Sequence, residues 1–213
     1  MSSIGWVFGV LNRNGINTNG MSPEEAFNEL EKLRQQERND YSQEQKESER
    51  NKIHNMLTKK DWENSLSSKQ KQSARDYGSF GHVWNRRLWD GQSVDDESIK
   101  AFDSLINSYN LEKPLTVYRN VPTNQSVQED FTSLGYISTS IDKEKTINDA
   151  SKGHRTIHIY EVSAGIGKGA YINNMVAPNY KDVEYEFVLK RGTKCTFLDK
   201  YEENGITYIK WRI

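Results

Sequence analysis

The chain has 213 residues, enough for one domain or for one domain with an extension. It is polar, with a mean hydropathy of -0.88 and 34% hydrophobic residues, but five Trp, eleven Tyr and seven Phe allow a core over part of its length. A formal net charge of -1 gives no general pull toward nucleic acid or acidic membranes, the lone Cys195 excludes an internal disulfide framework, and no apolar run is long enough to span a bilayer.

Residues 1–20 carry Gly5, Gly9, Gly15 and Gly20 among Asn and Ser and read as a flexible lead-in, without the basic-then-apolar order of a cleaved secretory signal. Ser22-Pro23-Glu24-Glu25 is a helix start: a capping serine, proline at the first helical position and a glutamate that closes a capping box. Phe27, Leu30 and Leu33 follow at helical spacing as a narrow apolar stripe. From Arg34 to Lys52 the only large apolar residue is Tyr41, so this run is a solvated helix or a linker, and Ile53, Met56 and Leu57 form a second short packing face. Ser67 can cap a helix that ends near Tyr77, with Gly78-Ser79 as a break. A further helix through Phe80, Val83, Trp84 and Leu88 ends at Asp90-Gly91. Asp95 or Asp96 starts the next, with Ile99, Phe102, Leu105, Ile106 and Tyr109 on one face.

The second half changes period. Strands are expected over Leu115–Arg119, Leu134–Ser138, Thr156–Val162, Tyr185–Leu189, Cys195–Leu198 and Ile206–Trp211. Gly165-Ile166-Gly167-Lys168-Gly169 precedes no helix and is no phosphate loop. Helices first and strands later imply an α+β fold.

One strand carries an unusual pair. Glu184 and Glu186, two apart, point the same way in an extended backbone, with Phe187 and Leu189 facing a core. Two carboxylates this close repel unless a cation or hydrogen bonds compensate, and a reaction with a developing cation and a proton to remove can use both. A solvated edge strand with acidic decoration is the other reading of this common pattern. Taken singly, Arg119 also reads as an exposed strand arginine and Ser138-Thr139-Ser140 as a loop.

In order, Tyr118-Arg119, Gly135-Tyr136-Ile137-Ser138-Thr139-Ser140 and Glu184-Tyr185-Glu186 resemble the Arg…Ser-Thr-Ser…Glu-x-Glu signature of mono-ADP-ribosyltransferases. The nearest-looking branch contains the cholera-type and clostridial binary actin-modifying toxins. Gly167-Lys168-Gly169-Ala170-Tyr171-Ile172 is similar to that branch's Gly-Ala-Tyr strand. Tyr77 through Leu88, with Asn85, is similar to its Tyr…Tyr…Ile-Asn-x-x-Leu-Arg helix, although Phe80 is displaced by one from the usual distance to Asn85. The resemblance covers roughly residues 61–213. It implies a helical N-terminal half packed on a mixed, mainly antiparallel two-sheet β core, with residues 58–213 as catalytic core and 1–57 as lead-in and helical extension.

The resemblance also implies roles. NAD is the substrate and no metal is expected; His54, His82, His154 and His158 have no metal spacing. Arg119, with Asn120 beside it, would hold the pyrophosphate, since a guanidinium fork matches phosphate oxygens. Ser138 would orient a glutamate, Thr139, Ser140 and Asn85 would contact the cofactor, and Glu186 would stabilise an oxocarbenium-like ribose. Glu184 would serve an arginine acceptor, since Glu there accompanies transfer to arginine and Gln transfer to asparagine. Asn179 and Tyr180, in an Asn173–Val183 loop, would read the target. Many relatives stack a phenylalanine on nicotinamide after the Ser-Thr-Ser strand; here His154 is the one aromatic between Ser140 and Arg155, so either His154 or Ile147 substitutes or the loop is differently built. The implied partner is a target protein, actin or another host or bacterial protein, with or without a separate delivery partner. The implied setting is an injected, secreted or phage-encoded effector acting in a target-cell cytoplasm. NAD hydrolysis without transfer and a non-catalytic binding module are the competing readings.

Overall fold

The computed structural model describes residues 4–39, 43–92, 96–123, 129–153, 156–176 and 185–213. The chain divides into two compact units, residues 1–51 and 52–213. In the first, α1 (Gly5–Arg13) and α2 (Pro23–Asn39) bury Val7, Leu11, Ala26 and Leu30 together. Where the glycines predict a flexible lead-in, Trp6, Val7, Val10 and Leu11 recur at helical spacing and find α2 as a partner, so packing overrides glycine propensity. The capping box forms as expected: the Glu25 amide donates to Ser22 Oγ at 3.2 Å and the Ser22 amide to Glu25 Oε2 at 2.7 Å. Those bonds hold the Glu25 carboxyl below its ordinary range. Leu30 and Leu33 of the stripe join this core; Phe27 is largely exposed and meets Trp6 edge to face. Helix α3 (Gln43–Leu57) runs across the boundary between the units.

The larger unit opens on the end of α3, whose Ile53, Met56 and Leu57 join the main core as expected. It continues through α4 (Lys60–Ser65), α5 (Ser68–Trp89) and α6 (Glu97–Ser108), the last capped by Asp96. Helix α5 starts on a Ser67–Gln70 capping box and does not break at Gly78. Gly78 and Gly81 instead admit close neighbours: a Cβ at Gly78 would lie 2.2 Å from Val176, and one at Gly81 3.0 Å from the Tyr77 ring. A lone glycine weakens a helix by only about 1 kcal/mol, which a buried face of Ala74, Tyr77, Trp84 and Leu88 outweighs.

The strands are β1 (Asn110–Leu111), β2 (Leu115–Val121), β3 (Phe131–Thr132), β4 (Ile137–Ser140), β5 (Thr156–Val162), β6 (Gly165–Ile166), β7 (Gly169–Tyr171), β8 (Glu186–Leu189), β9 (Lys194–Glu203) and β10 (Ile206–Arg212), with α7 (Lys143–Ser151) and the short α8 (Asn173–Val176) between them. An eight-stranded sheet has the order β3-β9-β10-β5-β2-β4-β8-β7, and β1 and β6 form a small antiparallel pair. Among the described strands only β10 and β5 run parallel, so the α+β, mixed and mainly antiparallel expectation holds. Strand β4 begins three residues later than predicted: Leu134 is exposed, and Gly135 passes so close to Asn85 that a Cβ would sit 2.7 Å from its Oδ1.

The sheet narrows to a seam. Strand β4 meets β2 through a single residue pair among the described residues, Tyr118 with Ser140, whereas β5 pairs with β2 along its whole length. The main core, rich in aromatics, spans the seam, drawing on α3 to α6, on β4, β7 and β8 and also on β2, β5, β9 and β10: Tyr77 stacks on Phe102, and Tyr136 meets both edge to face. A second core of Ala150, Ile157, Ile159, Ile206 and Tyr208 lies under α7.

A polar strut ties α6 to the turn after β8. Asp103 accepts from the Arg191 guanidinium through both oxygens and from the Tyr136 hydroxyl at 2.6 Å. Asp103→Ala leaves that buried phenol only the longer bond to the Ile99 carbonyl at 3.4 Å and takes the carboxylate away from Arg191, at a cost of about 1–3 kcal/mol. We expect a lower midpoint in thermal unfolding, while Asp103→Asn, which keeps an oxygen there, loses less.

Candidate active site

Of the predicted residues, Arg119, Ser138, Ser140 and Glu186 lie on the strands beside the seam. Ser138 and Ser140 alternate along β4, and across the ladder Ser140 lies opposite Glu186 and Ser138 opposite Val188. The two serines and Glu186 therefore share one face. Strand β8 is flanked by β4 and β7, so the edge-strand reading of the acidic motif does not hold. From the other side of the seam, Arg119 Nη1 donates to the Ser138 carbonyl at 3.4 Å.

Helix α5 supplies a residue that the motifs alone do not place in the site. The Tyr77 hydroxyl lies 2.7 Å from Ser138 Oγ and accepts from Asn85 Nδ2 at 3.4 Å. Burial pushes this phenol up to about 12, the Glu186 charge adds to the rise, and the Ser138 and Asn85 hydrogen bonds and Arg119 oppose it. Tyr77 is thus a neutral hydroxyl at neutral pH, within the fields of both Glu186 and Arg119. The helix motif holds the signal, but a tyrosine on an apolar helix face reads first as core. Phe80, beside it, is 57% exposed.

Among the other predicted residues, Asn85 borders the site through Tyr77 and Ser140 stays on its face, whereas Thr139, Asn120 and Ile147 sit elsewhere. Asn85 Oδ1 accepts from the Tyr136 amide at 2.8 Å, which fastens α5 to the start of β4. Thr139 is 5% exposed and its hydroxyl donates to the Phe187 carbonyl at 2.5 Å, so it faces away from Ser138 and is spent on the ladder. Asn120 alternates with Arg119 and faces the α7 side opposite Ile157, with a buried Oδ1 that lacks a partner among the described residues. Ile147 is partly buried against the second core. Ser140 Oγ accepts from the Asp142 amide at 3.0 Å.

Beneath Arg119 lies His158, its partner across the β2–β5 ladder. Burial, and then the Arg119 charge, lower the imidazole to about 4, so it stays neutral beside the guanidinium. Cys195 is fully buried and its thiol is pushed up to about 12, as expected of an inert side chain.

The glutamate pair departs from expectation at its centre. Tyr185 has φ +50°, in the left-handed region, so the backbone is not extended between the glutamates and β8 starts only at Glu186. Period-two alternation therefore stops at Tyr185. Glu184 itself, with Asn179, Tyr180 and His154, lies outside the described residues. The predicted Asn173–Val183 loop begins with the helical turn α8. Among the described residues, no group of three or more His, Cys, Asp or Glu could hold a metal ion, and no helix is long and apolar enough to cross a membrane.

Residues 51–211 match the ADP-ribosyltransferase exoenzyme family. The chain belongs to that family. Its described fold agrees. It is similar to an ADP-ribosyltransferase from Clostridium botulinum, with a TM-score of 0.60 and 17% identity over 81% of this chain and 96% of that one. It is also similar to Plx2a, an ADP-ribosyltransferase toxin from Paenibacillus larvae, with a TM-score of 0.61 and 15% identity over 79% and 94%. A third likeness is to the ADP-ribosylating toxin BECa of a binary enterotoxin of C. perfringens, solved with NADH, with a TM-score of 0.58 and 16% identity over 71% of this chain and 45% of that one. At these identities the solved structures speak to the fold. No curated protein sequence matches the chain. As a member of the exoenzyme family, the protein is an NAD-dependent ADP-ribosyltransferase.

Proposed function

We propose that the protein transfers ADP-ribose from NAD to an arginine side chain of a target protein. What supports this reading is that Ser138 and Ser140 share a face with Glu186, while Arg119 donates to the Ser138 carbonyl and Tyr77 is hydrogen-bonded to the Ser138 hydroxyl. In the reaction, the bond between nicotinamide and ribose C1′ breaks and its electron pair leaves with nicotinamide. Glu186, on the serine face, stabilises the cationic ribose. Arg119 holds the diphosphate as a charged fork. An arginine nitrogen then bonds to C1′ and gives its proton to Glu184, the carboxylate that makes an always-protonated guanidinium able to attack. Tyr180 and Asn179 contact the target.

Residues 58–213 form the catalytic core in this reading, and residues 1–57 are an extension. Arginine as acceptor, and with it the cholera-type and binary-toxin branch, rests on Glu at position 184. The target is a host or bacterial protein, actin among the candidates, reached as an injected, secreted or phage-borne effector. Labelled NAD incubated with eukaryotic and bacterial lysates tests the reading. Label on a protein band, located on arginine by mass spectrometry, supports it; label on another residue type refutes the acceptor. Free ADP-ribose alone identifies a hydrolase, and no turnover a binding module. Glu184→Gln is expected to lower transfer by about a hundredfold while NAD hydrolysis persists, since only the acceptor's proton needs that carboxylate. Transfer equal to wild type removes its assigned role.

A further inference from the structure

The residue between the two glutamates is clamped at three points. The Tyr185 amide donates to Asn173 Oδ1 at 2.9 Å, its carbonyl accepts from the Ile141 amide at 3.1 Å, and its ring meets His54 edge to face at 5.8 Å. His54 is itself held, with Nδ1 2.7 Å from the Tyr171 hydroxyl. Asn173 is 7% exposed, and next to it the Ile172 amide donates to the Glu186 carbonyl at 3.1 Å. The clamp holds Tyr185 at φ +50°, a conformation that a residue with a Cβ seldom adopts unless its surroundings impose it.

Of these contacts, the Asn173 bond is the one a side chain makes to the backbone amide of the left-handed residue itself. Without it, the Tyr185 amide loses its acceptor and the backbone can relax toward an extended path. Such a relaxation turns the chain just ahead of Glu186 and moves its Cα relative to Ser138 and Ser140. The Ile172–Glu186 bond comes from the same segment, so Asn173 ties the approach to β8 to the end of β7.

We infer that Asn173 is a positioning residue for catalysis: by holding Tyr185 in the left-handed conformation it fixes where Glu186 enters the site. The inference rests on the role proposed for Glu186, and the experiment separates the two. Steady-state NAD turnover is measured for wild type, Glu186→Gln, Asn173→Ala and Asn173→Asp, each with a thermal unfolding curve. Wild-type turnover that Glu186→Gln retains overturns the reading of the site. If Glu186→Gln is inactive, the Asn173 variants test this inference alone. Asn173→Ala is expected to lower kcat by about tenfold to a hundredfold, the scale of a displacement of about 1 Å at a reacting centre, with KM for NAD changed by less than about threefold. Asn173→Asp, which keeps an acceptor oxygen at Oδ1, is expected to restore kcat to within about threefold of wild type. A wild-type kcat in Asn173→Ala overturns the inference, and so does an Asn173→Asp enzyme as impaired as Asn173→Ala. Should Asn173→Ala fail to fold, Asn173→Asp decides alone: a folded protein with tenfold or greater loss of kcat overturns it, and retained kcat supports it.

Discussion

Replacing Glu186 by Gln should abolish both ADP-ribose transfer and NAD hydrolysis, with kcat for each falling by about 10²–10³ or more. The amide keeps the shape of the carboxylate, and the backbone carbonyl of residue 186 still accepts from Ile172, so β8 keeps its place between β4 and β7. What disappears is the negative charge on the face that Ser138 and Ser140 share. Both activities pass through the same cationic ribose, so both need that charge, whereas the ground-state dinucleotide does not. The loss should accordingly fall on kcat and leave KM for NAD within a few-fold. Nicotinamide release and label transfer, followed in parallel, check this; a variant that still hydrolyses NAD at the wild-type rate would remove Glu186 from the chemistry.

The second large effect is expected at Arg119 and should fall on binding. A charged fork on a diphosphate makes charge-assisted hydrogen bonds of about 1.5–3 kcal/mol each. Arg119→Ala is therefore expected to raise KM for NAD by at least about tenfold to a hundredfold. Arg119→Lys, which keeps a point charge but loses the fork, should fall between. The surroundings favour this division of labour: His158 beneath Arg119 is kept neutral, so it neither competes for the ligand as a cation nor repels the guanidinium. Titration of inactive Glu186→Gln with NAD, with and without Arg119→Ala, measures the effect on affinity without turnover. Equal affinities would show that the diphosphate is held elsewhere.

Much of this arrangement is legible in the sequence because it lies in regular elements. Ser22 and Ser67 cap the helices as their spacing requires, Thr156–Val162 forms the strand its pattern asks for, and the motif strands β2, β4 and β8 lie side by side in the sheet. What escapes depends on contacts distant in sequence. Gly78 reads as a break because nothing local reveals that Val176 will crowd it. The helix at Gly5–Arg13 hides among glycines because its stability comes from the partner that follows it. Tyr77 looks like core and its ring is core, but its hydroxyl reaches Ser138, 61 residues away. Motif groups Thr139 and Asn120 with their neighbours, although alternation along a strand turns each to the opposite face. The left-handed Tyr185 is hidden most completely: a tyrosine among β-formers gives no local hint of positive φ, and the asparagine that accepts from its amide is 12 residues upstream.

The seam between β2 and β4 carries a mechanical implication. Arg119 belongs to one leaf of the sheet and Glu186 to the other, and among the described residues the two strands at the joint share a single backbone pair and one guanidinium-to-carbonyl bond. In the proposed reading, a dinucleotide gripped at both residues acts as a suture across this joint, adding a bridge where the described backbone ladder is down to one pair. In this reading the bridge outlasts the discharge of nicotinamide, because the ribose cation left at Glu186 is still joined to the diphosphate at Arg119, and it is undone only when the ADP-ribose passes to its acceptor.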